Sequence, residues 1–146
     1  MKERKIKSRD FTADVIAVGT GGGGMTAALV TAKAGLVTII IEKTEFYSRS
    51  TAPSGGGIWV PNNYLPQRDG LEDSFEKART YLQHAVGNRT PQSLQDTYLE
   101  NAPEMVKYLV SNSYVHLNRA IGHPDYYPER PAGMTYSRAI EVLPLN

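Results

Sequence analysis

The chain has 146 residues, 40% of them hydrophobic, and its 16 basic and 15 acidic side chains leave a formal net charge of +1. That balance builds no field for holding nucleic acid or an anionic membrane surface, and the length fits a single domain with a modest core. The lack of cysteine excludes disulfides, thiolate metal sites and a cysteine nucleophile, and no apolar run approaches the ~20 residues needed to span a bilayer as a helix.

The first twelve residues read as a basic leader, with Lys2, Arg4, Lys5 and Lys7 as a solvated tail. No apolar stretch follows of the kind a secretory signal carries, so the expected compartment is the cytoplasm. Residues 13–146 read as one portion, and its opening is the most informative part of the chain. Asp14 to Glu42 runs DVIAVGTGGGGMTAALVTAKAGLVTIIIE: a strand, a glycine-rich turn, a helix of small residues, a second strand and a terminal carboxylate. Gly19, Gly21 and Gly24 supply G-x-G-x-x-G, with Gly22 and Gly23 between them, and seventeen residues separate Gly24 from Glu42. This is the order of a dinucleotide-binding βαβ unit. Gly19 permits the tight turn, Gly21 lets the main chain approach a pyrophosphate, and Gly24 with Ala27, Ala28 and Ala32 keeps the helix close to the sheet. The helix N-terminus then favours the anion. Glu42 is placed to accept hydrogen bonds from the adenosine ribose, its charge opposing the extra phosphate of NADP, and Lys43 follows it at the mouth of the site.

Beyond Glu42 the polar stretch to Asn63 holds Gly55, Gly56 and Gly57 between Pro53 and Pro61 and reads as a loop. Phe75, Ala78, Tyr81, Leu82, Ala85 and Val86 then recur at helical spacing, and Gly87 closes that helix. Thr90 and Pro91 open a second helix, with Leu94, Tyr98, Leu99 and Ala102 on its buried face, and Pro103 is expected to break or kink it. From Ser113 onward prolines, glycines and mixed polarity predict an irregular segment with room for short strands. The fold class is therefore α/β: a Rossmann-like βαβ unit, a helical pair and an irregular C-terminal segment, with a sheet left incomplete.

With these segments read, the chain resembles the fumarate reductase and 3-ketosteroid dehydrogenase flavoproteins, above all the 3-ketosteroid Δ1-dehydrogenases. STAPSGGGIWVPNN, beginning at Ser50, is similar to that family's second flavin-contacting segment, GNRTPQSLQDTYLENAPEMVKYL to its helical pair, and HPDYYPERPAG followed by SRAIE to its tyrosine-bearing stretch. The resemblance implies FAD as cofactor, held by the βαβ residues and by Ser50, Thr51, Ser54, Gly55, Gly56 and Gly57. It also implies removal of two hydrogens from adjacent A-ring carbons of a small apolar 3-ketosteroid, with the hydride passing to the flavin. Tyr126 matches the tyrosine that lines the family's site and assists its base. A phenol suits that task, since it donates and accepts while its ring packs on an apolar substrate. The family's other tyrosines belong to segments absent here, so the chain reads as the N-terminal portion of a truncated or split enzyme, inactive alone. The alternatives are a catalytically silent remnant, an interaction module, or a relative acting on other conjugated C=C bonds. A dicarboxylate would require an arginine clamp, which does not accompany D-Y-Y-P. Where relatives carry two glycines ahead of the serine and threonine, Ser48 and Arg49 stand here.

The remaining ionisable residues carry blander readings. His84, His116 and His123 have no ligand-like spacing, and no metal is expected. Glu72, Asp73 and Glu76 fall at a helix start, where they are expected to offset its dipole.

Overall fold

A computed structural model of the chain describes residues 10–48, 50–136 and 138–144; Lys2, Arg4, Lys5, Lys7 and Arg49 lie outside them. The chain divides into two compact units, residues 1–50 and 51–146.

The first unit is the βαβ element. Strand β1 (Val15–Val18) runs parallel to β2 (Thr38–Ile41), with Val15 opposite Thr38 and Val18 opposite Ile41. Both strands are rich in β-branched residues, which favour the pleated conformation. Between them lies α1 (Gly22–Lys33), whose buried Ala28 gives a slim face for packing. Side chains stitch the return: Thr31 Oγ1 lies 2.8 Å from Thr38 Oγ1, and Asp14 accepts the Val37 N–H at 2.9 Å. As expected, the sheet is incomplete. Among the described residues of this unit the sheet has two strands, and Ile16 and Val18 are 61% and 79% exposed.

The second unit contains β3 (Ile58–Trp59), α2 (Tyr64–Arg68), α3 (Phe75–Ala85), α4 (Gln92–Asn112), β4 (Leu117–Arg119) and β5 (Ala139–Val142). β5 is the centre of an antiparallel sheet in the order β3, β5, β4. Val60, Leu65, Ala102, Val106, Leu117 and Ile140 form its apolar core. Helix α3 begins with Ser74 accepting the Lys77 N–H and ends before Gly87, which has φ +60°.

Three local expectations change. Pro103 does not end its helix: α4 continues to Asn112, with Leu99, Ala102, Pro103 and Val106 buried on one face, and the burial of that whole face carries the helix past the missing N–H. The stretch to Asn63 expected as a loop contains β3 and ends in the cap of the short helix α2, Asn63 accepting from the Leu65 N–H. Asp73 does not serve the helix dipole. Its side chain is fully buried against Arg138, at 2.8 Å, while Glu76 occupies the first turn.

Candidate functional sites in the two units

In the first unit the glycine turn closes β1 onto α1. Gly19 has φ +89°, which a side chain would strain, and its N–H donates to the Ile41 carbonyl at 2.7 Å. Gly24 is fixed by proximity: a Cβ there would lie 2.1 Å from the Gly19 carbonyl oxygen. A Cβ at Gly19 or Gly23, by contrast, would meet nothing within 4 Å. The turn therefore packs tightly inward and stays open outward. Gly21 caps the helix without a side-chain bond, and the first intrahelical bond runs from the Met25 N–H to Gly21.

Gly19, Thr20, Gly21, Glu42, Lys43 and Ser50 line one cleft of about 360 Å³. The carboxylate of Glu42 accepts from the Thr20 N–H at 3.0 Å and the Thr20 hydroxyl at 2.7 Å on one oxygen. On its other oxygen it accepts from the Thr44 N–H at 3.2 Å. These bonds, those of Thr20 foremost, lower its pKa from 4.5 to about 2, because donors to the charged form favour ionisation. Ser48 stands in the left-handed region at φ +53° and is buried. Its N–H donates to Thr20 Oγ1 at 2.6 Å. Thr20 and Thr44 were not singled out from the sequence, although a hydroxyl residue inside G-x-G and another two positions past the strand-end carboxylate are a readable pattern.

The other expected cofactor residues lie in the second unit. Thr51 caps a 3-10 turn at Ala52–Ser54, and Ser54 Oγ donates to the Thr51 carbonyl at 2.7 Å while accepting the Gly56 N–H at 3.2 Å. Gly55 follows the turn, and Gly57 leads into β3. A Cβ on Gly56 would come within 3.1 Å of the Val142 side chain, so packing against β5 explains that glycine.

The same unit has an aromatic hollow of about 370 Å³ lined by Trp59, Tyr81, Leu82, Tyr126 and Tyr127, among others. Trp59 stacks on Tyr98 with centroids 6.4 Å apart, and the Tyr98 hydroxyl donates to the Trp59 carbonyl. Behind the hollow lies a buried polar network. Arg138 grips Asp73 through two bonds of 2.9 and 2.8 Å and reaches Asp125 at 3.0 Å. Asp125 also accepts the Trp59 indole N–H at 2.8 Å and the Met134 N–H at 3.0 Å. The guanidinium lies 5.4 Å from the Tyr81 ring centre, within cation–π range. Tyr81 Oη accepts the Tyr127 N–H at 3.1 Å, and burial pushes its phenol pKa up. Tyr126 itself is 88% exposed on the rim. The three histidines are exposed, and no cluster that would hold a metal ion occurs among the described residues.

The family model described as "FAD binding domain" matches residues 14–140. The chain belongs to this family. It is 44% identical over 133 residues to the 3-oxosteroid 1-dehydrogenase of Mycolicibacterium smegmatis, covering 91% of this chain and 23% of that protein. The Rhodococcus opacus 3-oxosteroid 1-dehydrogenase is 39% identical, with 94% and 27% covered. Among solved structures, the 3-ketosteroid Δ1-dehydrogenase of Sterolibacterium denitrificans in complex with 1,4-androstadiene-3,17-dione matches with a TM-score of 0.82 at 37% identity, over 90% of this chain and 23% of that one. The chain thus spans about a quarter of the length of the relatives it matches.

The residues of the first unit fit FAD. An outward-open glycine turn at a helix N-terminus suits a diphosphate, and an ionised carboxylate at the end of the second strand suits ribose hydroxyls. Lys43 adds a positive charge to the same cleft.

Proposed function

We propose that this chain supplies the FAD-holding cradle and part of the substrate-facing wall of a flavin-dependent 3-ketosteroid dehydrogenase, the rest coming from a polypeptide with the family's remaining length. The carrying observation is the aromatic hollow with Tyr126 on its rim, in a chain so similar to 3-oxosteroid 1-dehydrogenases. A hollow walled by indole and phenol rings suits a flat, apolar ring system. In this reading Gly19, Gly21, Gly22, Gly23 and Gly24 accommodate the diphosphate, with Glu42 and Lys43 at the ribose end. Ser50, Thr51, Ser54, Gly55, Gly56 and Gly57 supply the second cofactor segment. When bound, FAD would supply the hydride acceptor for oxidation of the steroid A ring. Tyr126 is the catalytic residue this chain contributes, its hydroxyl passing the proton that leaves the neighbouring carbon. An unassisted phenol of pKa ≈ 10 is a weak base at neutral pH, so the reaction needs groups beyond this chain. The compartment expected in this reading is the cytoplasm.

The test is co-expression of the chain with the downstream polypeptide, followed by FAD loading and assay of 3-ketosteroid oxidation with an artificial electron acceptor. Turnover that falls at least tenfold in Tyr126→Phe, with flavin content unchanged, supports the reading. A reconstituted enzyme whose turnover ignores Tyr126→Phe removes that residue from the site. A flavin-loaded assembly that dehydrogenates no 3-ketosteroid refutes the substrate class.

A further inference from the structure

Glu42 is held by its own chain in an asymmetric way. Its Oε2 receives two donors, the Thr20 N–H and the Thr20 hydroxyl, at 3.0 and 2.7 Å. Its Oε1 has the Thr44 N–H at 3.2 Å and the Thr44 hydroxyl at 3.3 Å. A hydroxyl has one proton to give, and the shorter contact of Thr44 Oγ1 is to the Phe46 carbonyl, at 2.7 Å. Among the described residues, Oε1 therefore keeps one firm donor where Oε2 has two. The Thr20 hydroxyl is fixed from its other side, because the Ser48 N–H donates to it at 2.6 Å and occupies a lone pair. Its proton is thereby directed at Glu42. An ionised carboxylate offers about four acceptor positions, and the open capacity lies on Oε1.

We infer that Thr20 is a positioning residue for the adenosine ribose: its hydroxyl, oriented by the Ser48 N–H, fills Oε2 of Glu42 and leaves Oε1 as the oxygen offered to a ribose hydroxyl. The inference rests on the FAD reading of the cleft. It explains why the middle residue of G-x-G carries a hydroxyl. It also gives Ser48 a task in its left-handed conformation, since the backbone there sends an N–H into the cradle. The low pKa of Glu42, caused first by the Thr20 hydrogen bond, agrees with this arrangement.

The experiment uses the chain assembled with its downstream polypeptide and carrying either Thr20→Val, which removes the hydroxyl at constant shape, or Thr20→Ser, which keeps it. FAD binding is read from quenching of flavin fluorescence, with FMN, which lacks the adenosine, as the control ligand. Thr20→Val is expected to weaken FAD binding about tenfold, the scale of one charge-assisted hydrogen bond. Thr20→Ser should stay within about twofold, and FMN binding should not respond. Carbon-13 NMR of the Glu42 carboxyl in cofactor-free protein gives a second readout. The wild type should remain ionised from pH 6 to pH 3, whereas Thr20→Val should titrate nearer the ordinary value of 4.5. Thr20→Ala removes the hydroxyl without a branched side chain and should repeat both losses if the valine variant does not fold. FAD bound equally by wild type and Thr20→Val overturns this inference alone, as does a wild-type Glu42 that titrates near 4.5. A wild type that binds no FAD overturns the cofactor reading, and this inference with it.

Discussion

Arg138→Met tests the buried network directly. The side chain of Arg138 is 1% exposed, and those of Asp73 and Asp125 are 0% exposed. Methionine fills much of the same volume but removes three charge-assisted hydrogen bonds, two to Asp73 and one to Asp125. It leaves two carboxylates buried without their cation, a change that costs about 3–5 kcal/mol when one partner of a buried pair is removed. That is a large share of the ~5–15 kcal/mol stabilising a typical domain. The chain's single tryptophan, Trp59, bonds to Asp125, so its fluorescence reports on the affected region. With a urea slope of about 2 kcal/mol/M, the unfolding midpoint should fall by about 2 M, with circular dichroism following the same transition. Arg138→Lys should recover only part of the loss, since an ammonium cannot reproduce the planar fork on Asp73. A midpoint within about 0.5 M of wild type for Arg138→Met would show that the network is not a stabilising element.

Gly24→Ala places a methyl 2.1 Å from the Gly19 carbonyl oxygen; it should destabilise the first unit by about 1–3 kcal/mol, the usual cost of overpacking, and weaken FAD binding in the fluorescence titration. Pro103→Ala should raise the thermal midpoint. Restoring the N–H to the Leu99 carbonyl removes a penalty of about 3 kcal/mol, against about 1.6 kcal/mol for two buried methylenes. A lowered midpoint would mean that proline packing dominates. Arg79 grips Asp96 through bonds of 2.8 and 3.1 Å and holds the Asp96 carboxyl below its ordinary 3.8. A depressed folded-state pKa contributes stability that is complete above the unfolded value and is lost as pH falls through the folded one. The stability gap between wild type and Arg79→Gln should therefore be constant above about pH 5 and shrink as urea titrations descend below 3.8.

What the sequence made legible was local. The βαβ unit could be read because each of its requirements falls on neighbouring residues: β-branched strands, a glycine turn, alanines on the helix face and a carboxylate at the strand end. The helical pair was readable from its spacing. The antiparallel sheet was not, because strands of two to four residues are too short for alternation to register. Helix α2 escaped for the same reason. Asp73 looked like a dipole partner because it precedes a helix, yet its true partner lies 65 positions away. The bond from Trp59 to Asp125 spans 66 positions. Neither pairing has a signal in composition or periodicity, since both depend on β5 lying at the centre of its sheet.

The same network bears on how Tyr126 is presented. On one side of it Asp125 is buried, tied through its side chain to Arg138, Trp59 and the Met134 N–H. On the other side the Tyr127 N–H is tied to Tyr81. Tyr126 is thus an exposed phenol between two anchored neighbours, in contrast to a loop tip whose backbone orders only when a ligand arrives. In the role proposed for Tyr126, ordering its backbone during folding would lower the entropic cost of bringing the phenol to an apolar ring. It follows that a conservative break behind the hollow should affect function without touching substrate. Tyr81→Phe removes the hydroxyl that receives the Tyr127 N–H but keeps the ring under Arg138. In the reconstituted enzyme it should lower turnover severalfold while leaving flavin content unchanged. Equal turnover in Tyr81→Phe and wild type would mean that the Asp125 side alone holds the tyrosine in place.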